Sequence, residues 1–460
     1  MALITSISGI RGTIGGQPGN NLTPIEIVKF TAAFAHFIKQ EISHSPTIIV
    51  ARDARVSGPI IMDLVQATLN SMGVNVKNID LATTPTTEIA VINERADGGI
   101  IITASHNPFQ WNALKFLNAK GEFLEPDSVK KVIQIYNNIE TVSFAQANML
   151  GMSKIITGYE QVHINQILQL PLVKPELIKK ANFTVALDCI NSVGSIALPP
   201  LLKALGVQNI IPINCEPNGL FAHSPEPLEQ NVSDLIKAVK VHNADVGFVV
   251  DPDVDRLAII DENGSYIGEE YTLVAVADYI LQHTPGNTVS NLSSSRALRD
   301  ITEKYGYEYF SAPVGEINVI MKMKQVNAVI GGEGNGGVIY PELHYGRDAL
   351  VGIALFLSYM AWENLKPSQI KSKLPQYYMF KTKITAQDID FETIKQQIIK
   401  TYANQAQINT DDGIKLDFPD FWIHIRKSNT EPIIRIYTEA KSQDQAQQLA
   451  QQFIQQFFNN

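Results

Sequence analysis

The chain has little cysteine: Cys189 and Cys215 are the only two among 460 residues. Neither sits in a C-x-x-C or His-rich setting, which argues against a disulfide framework and against a zinc site built on them. Basic runs are also missing. The net charge is −9 and the pI about 5.5, so nucleic acid is not the expected partner, because phosphate backbones require clustered Lys and Arg. A small anionic substrate stays open, since a few local cations override a modest global field. Long hydrophobic runs are absent. The most apolar stretch, "ALVGIALFLSYMAW" (349–362), is about five residues short of a membrane span and reads as a buried helix. The opening "MALITSISGI" lacks the basic and apolar regions of a signal peptide. Cytoplasmic location with no membrane partner is the expectation.

What is present is globular: 45% hydrophobic and 18% charged residues, without disordered or collagen-like bias. The length suggests about three or four domains. Thr23-Pro24 reads as a helix start, followed by strand "TIIVARD", helix "SGPIIMDLVQATLNSMG" and strand "VNVKNI". This alternation implies parallel strands with covering helices. It recurs from "FTVALDCI" to "VGFVVD", and again from "EYTLVAVADYILQH" to "NAVIGGE", as a repetition of architecture. The tail, from "YYMFKTKIT" to the Gln-rich last helix, reads as α+β. The expected domains are 1–150, 151–256, 257–370 and 371–460.

Ligands of open α/β sheets bind beyond the carboxyl ends of strands, and each unit carries unusual chemistry there. In the first, four β-favouring residues run into "TASHNP", with Ser105 and His106. In the second, "DPDVDR" sets Asp251, Asp253 and Asp255 at alternate positions of an extended segment. Three such carboxylates repel unless a cation lies among them, and hard oxygen ligands favour Mg²⁺ or Ca²⁺. The glycine and glutamate of an EF-hand loop are missing. In the third, "GGEGNGG" leaves Glu333 and Asn335 as polar side chains among glycines, suited to sugar hydroxyls. In the tail, "RKSNTEPIIR" gathers Arg426, Ser428, Asn429, Thr430 and Arg435, a set able to clamp a dianion. Arg11 lies between glycines in "SGIRGTIGG". Arg52, Asp53 and Arg55 read as a structural ion-pair network.

"TASHNP", "DPDVDR", "GGEGNGG" and "RKSNTEP", in this order, resemble the α-D-phosphohexomutase family over nearly the whole chain, and most of all its phosphoglucosamine mutase-type branch. The resemblance implies three α/β domains with mixed sheets and a small C-terminal α+β domain around a central cleft. It implies that Ser105 is the phosphoserine, with Asp251, Asp253, Asp255 and a Ser105 phosphate oxygen holding Mg²⁺. Arg11, His106, Lys115 and Arg256 match active-site positions, with Lys115 as a proton shuttle if its pKa is lowered. Glu333 and Asn335 would read sugar hydroxyls, and Arg426 to Thr430 would hold the non-reacting phosphate.

The implied reaction interconverts glucosamine 6-phosphate and glucosamine 1-phosphate through a hexose 1,6-bisphosphate, in a monomer or homodimer. Phosphomannomutase/phosphoglucomutase activity stays open, as do, more remotely, a Mg²⁺-dependent sugar-phosphate phosphatase and a non-catalytic sensor. Two departures stand out. Many relatives carry glycines where this chain has Pro252 and Val254, and many end the sugar loop in "SGH" where it has Asn335-Gly336-Gly337. His344 is a candidate to replace that missing histidine.

Overall fold

The computed structural model describes residues 3–6, 9–386, 389–428 and 433–458. Strands β1 (Ile4–Ser6), β2 (Gly9–Thr13), β3 (Thr47–Arg52), β4 (Asn75–Leu81), β5 (Gly98–Ile102), β6 (Trp111–Leu117) and β7 (Ser153–Ile155) form the first sheet, in the order β1-β2-β6-β5-β3-β4-β7. The second sheet contains β8 (Thr184–Asp188), β9 (Asn209–Ile213), β10 (Val246–Val250) and β11 (Leu257–Ile260), ordered β11-β10-β8-β9. The third contains β12 (Thr288–Asn291), β13 (Tyr309–Ala312), β14 (Ile330–Glu333) and β15 (Gly337–Ile339), ordered β13-β12-β14-β15. The last is antiparallel: β16 (Tyr378–Thr385), β17 (Gln407–Asn409), β18 (Ile414–Asp417), β19 (Trp422–Lys427) and β20 (Ile433–Ala440), ordered β16-β20-β19-β18-β17.

One winding recurs three times. In β3 to β6, in β8 to β11 and in β12 to β15, the first strand pairs in parallel with the second and third. The third then turns back antiparallel into the fourth. A short connection can only return antiparallel, whereas a parallel neighbour needs a long crossover. The sheets are therefore mixed, as expected. The Ser105, Asp251–Asp255 and Glu333 loops all occupy the same place, the turn between third and fourth strands.

Two expected domain boundaries cut through sheets. The first sheet takes in β7, beyond residue 150, because β7 pairs with β4. A break at 256 would separate β11 from β10, but the aspartate loop is a hairpin turn, so both strands belong to one sheet.

The second and third domains share one hydrophobic core, in which Phe248 meets Phe356 edge to face at 6.1 Å. Helix Ala349–Glu363 runs through it with every residue from Ala349 to Met360 buried, which is why this segment is apolar on all faces. The fourth domain has its own core and docks on the third mainly through polar contacts. The Arg296 guanidinium donates to the carbonyls of Pro419, Phe418 and Phe421 at 2.8, 2.8 and 3.0 Å and pairs with Asp417. His424 donates from Nε2 to the Asp412 carbonyl (2.7 Å) and faces Ser293 Oγ with Nδ1 (2.9 Å).

Burial pushes the His424 pKa down to about 3. Its folded value lies below its unfolded one, so the stability gained by keeping it neutral is present above about pH 6.5 and lost as pH falls toward 3, at about 1.4 kcal/mol per unit. Thermal unfolding at pH 7 and pH 5 should show a smaller acid-side loss in His424→Gln than in the parent.

Candidate active site

Ser105 follows β5 in a left-handed conformation, φ +48°, uncommon for a residue with a Cβ and typical of functional turns. Its N–H donates to Thr103 Oγ1 (3.0 Å), which in turn donates to Asp53 (2.7 Å). Beneath the turn the buried Arg55 guanidinium pairs with Asp53 (3.0 Å) and donates to the carbonyls of Ser105, Asn107, Pro108 and Trp111 at 2.6 to 2.9 Å. The Asp53–Arg55 pair is thus structural, as its sequence suggested, and it fixes the shape of the serine loop.

Ser105 Oγ donates to Asp251 Oδ2 at 2.7 Å and lies 3.4 Å from His106 Nδ1. Asp251, Asp253 and Asp255 are each fully buried, and one oxygen from each lies within 4.8 Å of the others. The turn is made by Val254 at φ +63°. A β-branched residue there costs about 1–2 kcal/mol, offset by burial of its side chain in the shared core. Asp253 accepts from Lys115 Nζ and Thr84 Oγ1, both at 2.7 Å, and Asp255 pairs with Arg347 at 2.5 Å. Burial and the charges of Asp255 and Asp253 hold the Asp251 carboxyl well above its ordinary range. Burial works to lower Lys115, but Asp253 and Asp255 outweigh it and hold the ammonium above its usual range. A lowered Lys115 pKa, the condition set for shuttling, is not met while these carboxylates face it.

Glu333 sits at the end of β14. Its Oε1 accepts from Asn291 (2.8 Å) and the Gly315 N–H (3.0 Å), and its Oε2 from Arg347 (2.9 Å). Burial works to raise its pKa, but Arg347 and these donors hold it below the ordinary value. Asn335 stays in the loop, its Oδ1 accepting from the Gly337 N–H at 3.3 Å. Arg347 was not singled out from the sequence. It pairs with Asp255, Glu333 and, through Nε at 3.1 Å, Glu316. Its only sequence signal is an arginine in "PELHYGRD", with partners up to 92 residues distant.

A cleft of about 800 Å³ is lined by Ser105, His106, Lys115, Arg11, Arg256, Glu333, Asn335, Arg426, Ser428 and Arg435. The structure brings these expected residues together; Asn429 and Thr430 lie outside the described residues. Arg426 and Arg435 are directly opposite across β19 and β20. Like charges so placed are destabilising, a cost an anion between them would relieve. Arg11 donates to Asn107 Oδ1 (3.1 Å), and Arg256 pairs with Glu226 (3.4 Å). Burial, then Arg256 and Arg11, hold His106 well below the ordinary histidine range, hence neutral. His344 does not line the cleft. It is buried against Glu88 and Asp348, 3.3 Å from each, so it does not replace the loop histidine.

Asp253 Oδ1 and Asp255 Oδ1 are buried without a hydrogen-bond partner. Unpartnered carboxylate oxygens in an all-oxygen set fit a hard divalent cation.

Four domain profiles of one family match in chain order. They are described as phosphoglucomutase/phosphomannomutase, alpha/beta/alpha domains I, II and III and C-terminal domain, and cover residues 3–143, 161–264, 268–378 and 387–456. The chain belongs to the phosphoglucomutase/phosphomannomutase family. It is a phosphohexomutase, an enzyme that moves a phosphoryl group within its substrate. A phosphoglucomutase/phosphomannomutase of Thermococcus kodakarensis is 35% identical, with 95% of this chain and 96% of that one aligned. A phosphoglucosamine/phosphogalactosamine mutase of Sulfurisphaera tokodaii is 32% identical, with 97% of each covered. A crystal structure of a phosphoglucomutase/phosphomannomutase family protein from Burkholderia thailandensis superposes with a TM-score of 0.84 at 24% identity, covering 100% of this chain and 97% of that one.

Removing one partner from a buried ion-pair network strands the others and costs about 3–5 kcal/mol. Arg347→Met in this phosphohexomutase should lose that much in urea unfolding, while Arg299→Met, at a half-buried pair with Asp417, should lose far less.

Proposed function

We propose that this phosphohexomutase interconverts glucosamine 6-phosphate and glucosamine 1-phosphate through a phosphorylated Ser105 and a hexose 1,6-bisphosphate, which also serves as activator. The observation that carries the mechanism is the 2.7 Å contact of Ser105 Oγ with a buried aspartate triplet. Phosphoryl transfer depends on positioning and charge stabilisation more than on covalent effort by the protein. Asp251, Asp253, Asp255 and a Ser105 phosphate oxygen would hold Mg²⁺, which supplies charge neutralisation to the phosphoryl group when bound.

The substrate's free hydroxyl attacks the phosphorus as the bond to Ser105 Oγ breaks; the hydroxyl proton leaves to a base, and Oγ regains a proton. Neutral His106, 3.4 Å from Oγ, can hold a proton at that atom. Lys115 acts as an acid while Asp253 is charged, and as a base only once that charge is neutralised. Arg426, Ser428 and Arg435 grip the phosphate that is not reacting, with Asn429 and Thr430 of the same loop. After the bisphosphate turns end for end, the same clamp serves the other phosphate, and the second phosphoryl group returns to Ser105.

The glucosamine assignment draws on the "EGNGG" loop, on the Sulfurisphaera tokodaii relative and on Glu226. This glutamate lines the cleft with its side chain 41% exposed and one long ion pair to Arg256, a placement suited to a sugar ammonium group. A phosphoglucomutase/phosphomannomutase is the second reading, favoured by the 35% identical relative that carries that name.

Intact-mass measurement should find a phosphate-sized increment in the parent that Ser105→Ala lacks, together with loss of turnover; turnover that survives Ser105→Ala overturns the mechanism. With Mg²⁺ and a trace of bisphosphate, kcat/KM should be at least about tenfold higher on glucosamine 6-phosphate than on glucose 6-phosphate or mannose 6-phosphate, a margin of about 1.4 kcal/mol at the transition state. Equal values would support the second reading.

A further inference from the structure

Glu88, His163, His344 and Asp348 form a second cluster of chemically capable side chains. None lines the cleft, and all are at most 5% exposed. Glu88 comes from helix Thr84–Asn93 of the first domain and His163 from helix Tyr159–Leu168. His344 and Asp348 come from the loop between β15 and helix Ala349–Glu363. Nε2 of His163 is 2.9 Å from Asp348 Oδ2, and Nε2 of His344 is 3.3 Å from the same oxygen. The three donors lie within 4.8 Å of one another. A four-coordinate ion with bonds of about 2.0–2.1 Å sets its ligands about 3.3–3.4 Å apart; the His344 contact has that length, and the His163 contact, now a hydrogen bond, has to open by about 0.4 Å.

The far side of each donor group is also engaged. His163 Nδ1 pairs with Thr86 Oγ1 at 3.0 Å, and His344 Nδ1 faces Glu88 Oε2 at 3.3 Å. Asp348 Oδ1 caps the following helix, accepting from Leu350 N–H (2.8 Å) and Val351 N–H (3.3 Å), which leaves Oδ2 turned toward the histidines. Metal-bound imidazoles are oriented in this way, with one nitrogen on a hydroxyl or carboxylate and the other presenting its lone pair. Glu88 supplies an independent sign. Its carboxylate is 1% exposed, and while Oε2 faces His344, Oε1 has no hydrogen-bond partner. Burial works to lower the His344 pKa, but Asp348 and Glu88 outweigh it and raise it to about 10, so an ion at Nε2 displaces a proton as it binds.

We propose that His163 Nε2, His344 Nε2 and Asp348 Oδ2 bind a late first-row divalent ion of the zinc type, with Thr86 and Glu88 orienting the two imidazoles. Imidazole ligands select this class, whereas the all-oxygen aspartate triplet suits Mg²⁺. The site is structural. It ties the first three domains together behind the aspartate turn, because Asp348 is flanked by Arg347, which holds Asp255, and by Ala349, whose N–H donates to the Val254 carbonyl at 3.2 Å.

The test uses the full chain, stripped with a chelator, supplied with saturating Mg²⁺ and titrated with Co²⁺. One equivalent should bind with the intense visible absorption of four-coordinate cobalt and raise the Tm. His163→Gln and His344→Gln should abolish both effects, Thr86→Val should weaken binding about 10–100-fold, and Asp253→Asn should retain the absorption. X-ray absorption on the unmutated cobalt-loaded protein should count two imidazole ligands, a result independent of whether any variant folds. The absence of Co²⁺ binding under Mg²⁺, a weakly absorbing six-coordinate spectrum, absorption unchanged in His163→Gln, or a shell without imidazole would each overturn the proposal.

Discussion

Mutual repulsion among three carboxylates shut away from water governs the architecture of this site. Asp251, Asp253 and Asp255 have no exposed surface, and at such depth unit charges interact several-fold more strongly than in solvent. The surrounding cations follow from that constraint. Lys115 approaches from the first domain and Arg347 from the third, and the Ser105 hydroxyl donates a hydrogen bond to Asp251. Arg256 of the aspartates' own domain reaches Asp255 only at 3.8 Å, whereas the shorter ion pairs come from the neighbouring domains, so the same electrostatics that arrange a cation site also draw three domains together.

The parts legible in the sequence were those whose chemistry is contiguous. "TASHNP", the aspartate triplet and the sugar loop each pack their functional groups into a few residues, and each falls at the same hairpin of a repeated winding. Helix Thr84–Asn93 was harder to recognise. "TPTTEIAVIN" is rich in β-branched residues that favour helix weakly, and burial of Thr84 through Val91 removes the one-sided stripe by which helices are recognised. Yet it carries Thr84, which holds Asp253. Arg347 was invisible because its partners are set by tertiary approach alone, 14 to 92 residues away.

Two readings of the sequence, at His344 and Lys115, turn on the same missing information. His344 was proposed from nearness along the chain to a loop lacking its histidine, but the chain turns it toward Glu88 and Asp348. Lys115 is read from the sequence as a proton shuttle on the condition that burial and nearby cations lower its pKa. Burial is present, but the decisive neighbours are Asp253 and Asp255, which act in the other direction. Sign and distance of neighbouring charge are three-dimensional quantities that local sequence does not report.

The contrast between the two inter-domain joints has a mechanical consequence. The second and third domains are fused by a common apolar interior, which resists shear because interiors of this kind are close-packed. The last domain rests on hydrogen bonds radiating from Arg296 and on His424, contacts that water can replace one at a time. In the proposed reaction, strain from a bound sugar reversing end for end would be taken up at the Arg296 seam, with Arg426 and Arg435 on the compliant side and the Asp251–Asp255 and Glu333 loops on the stiff one.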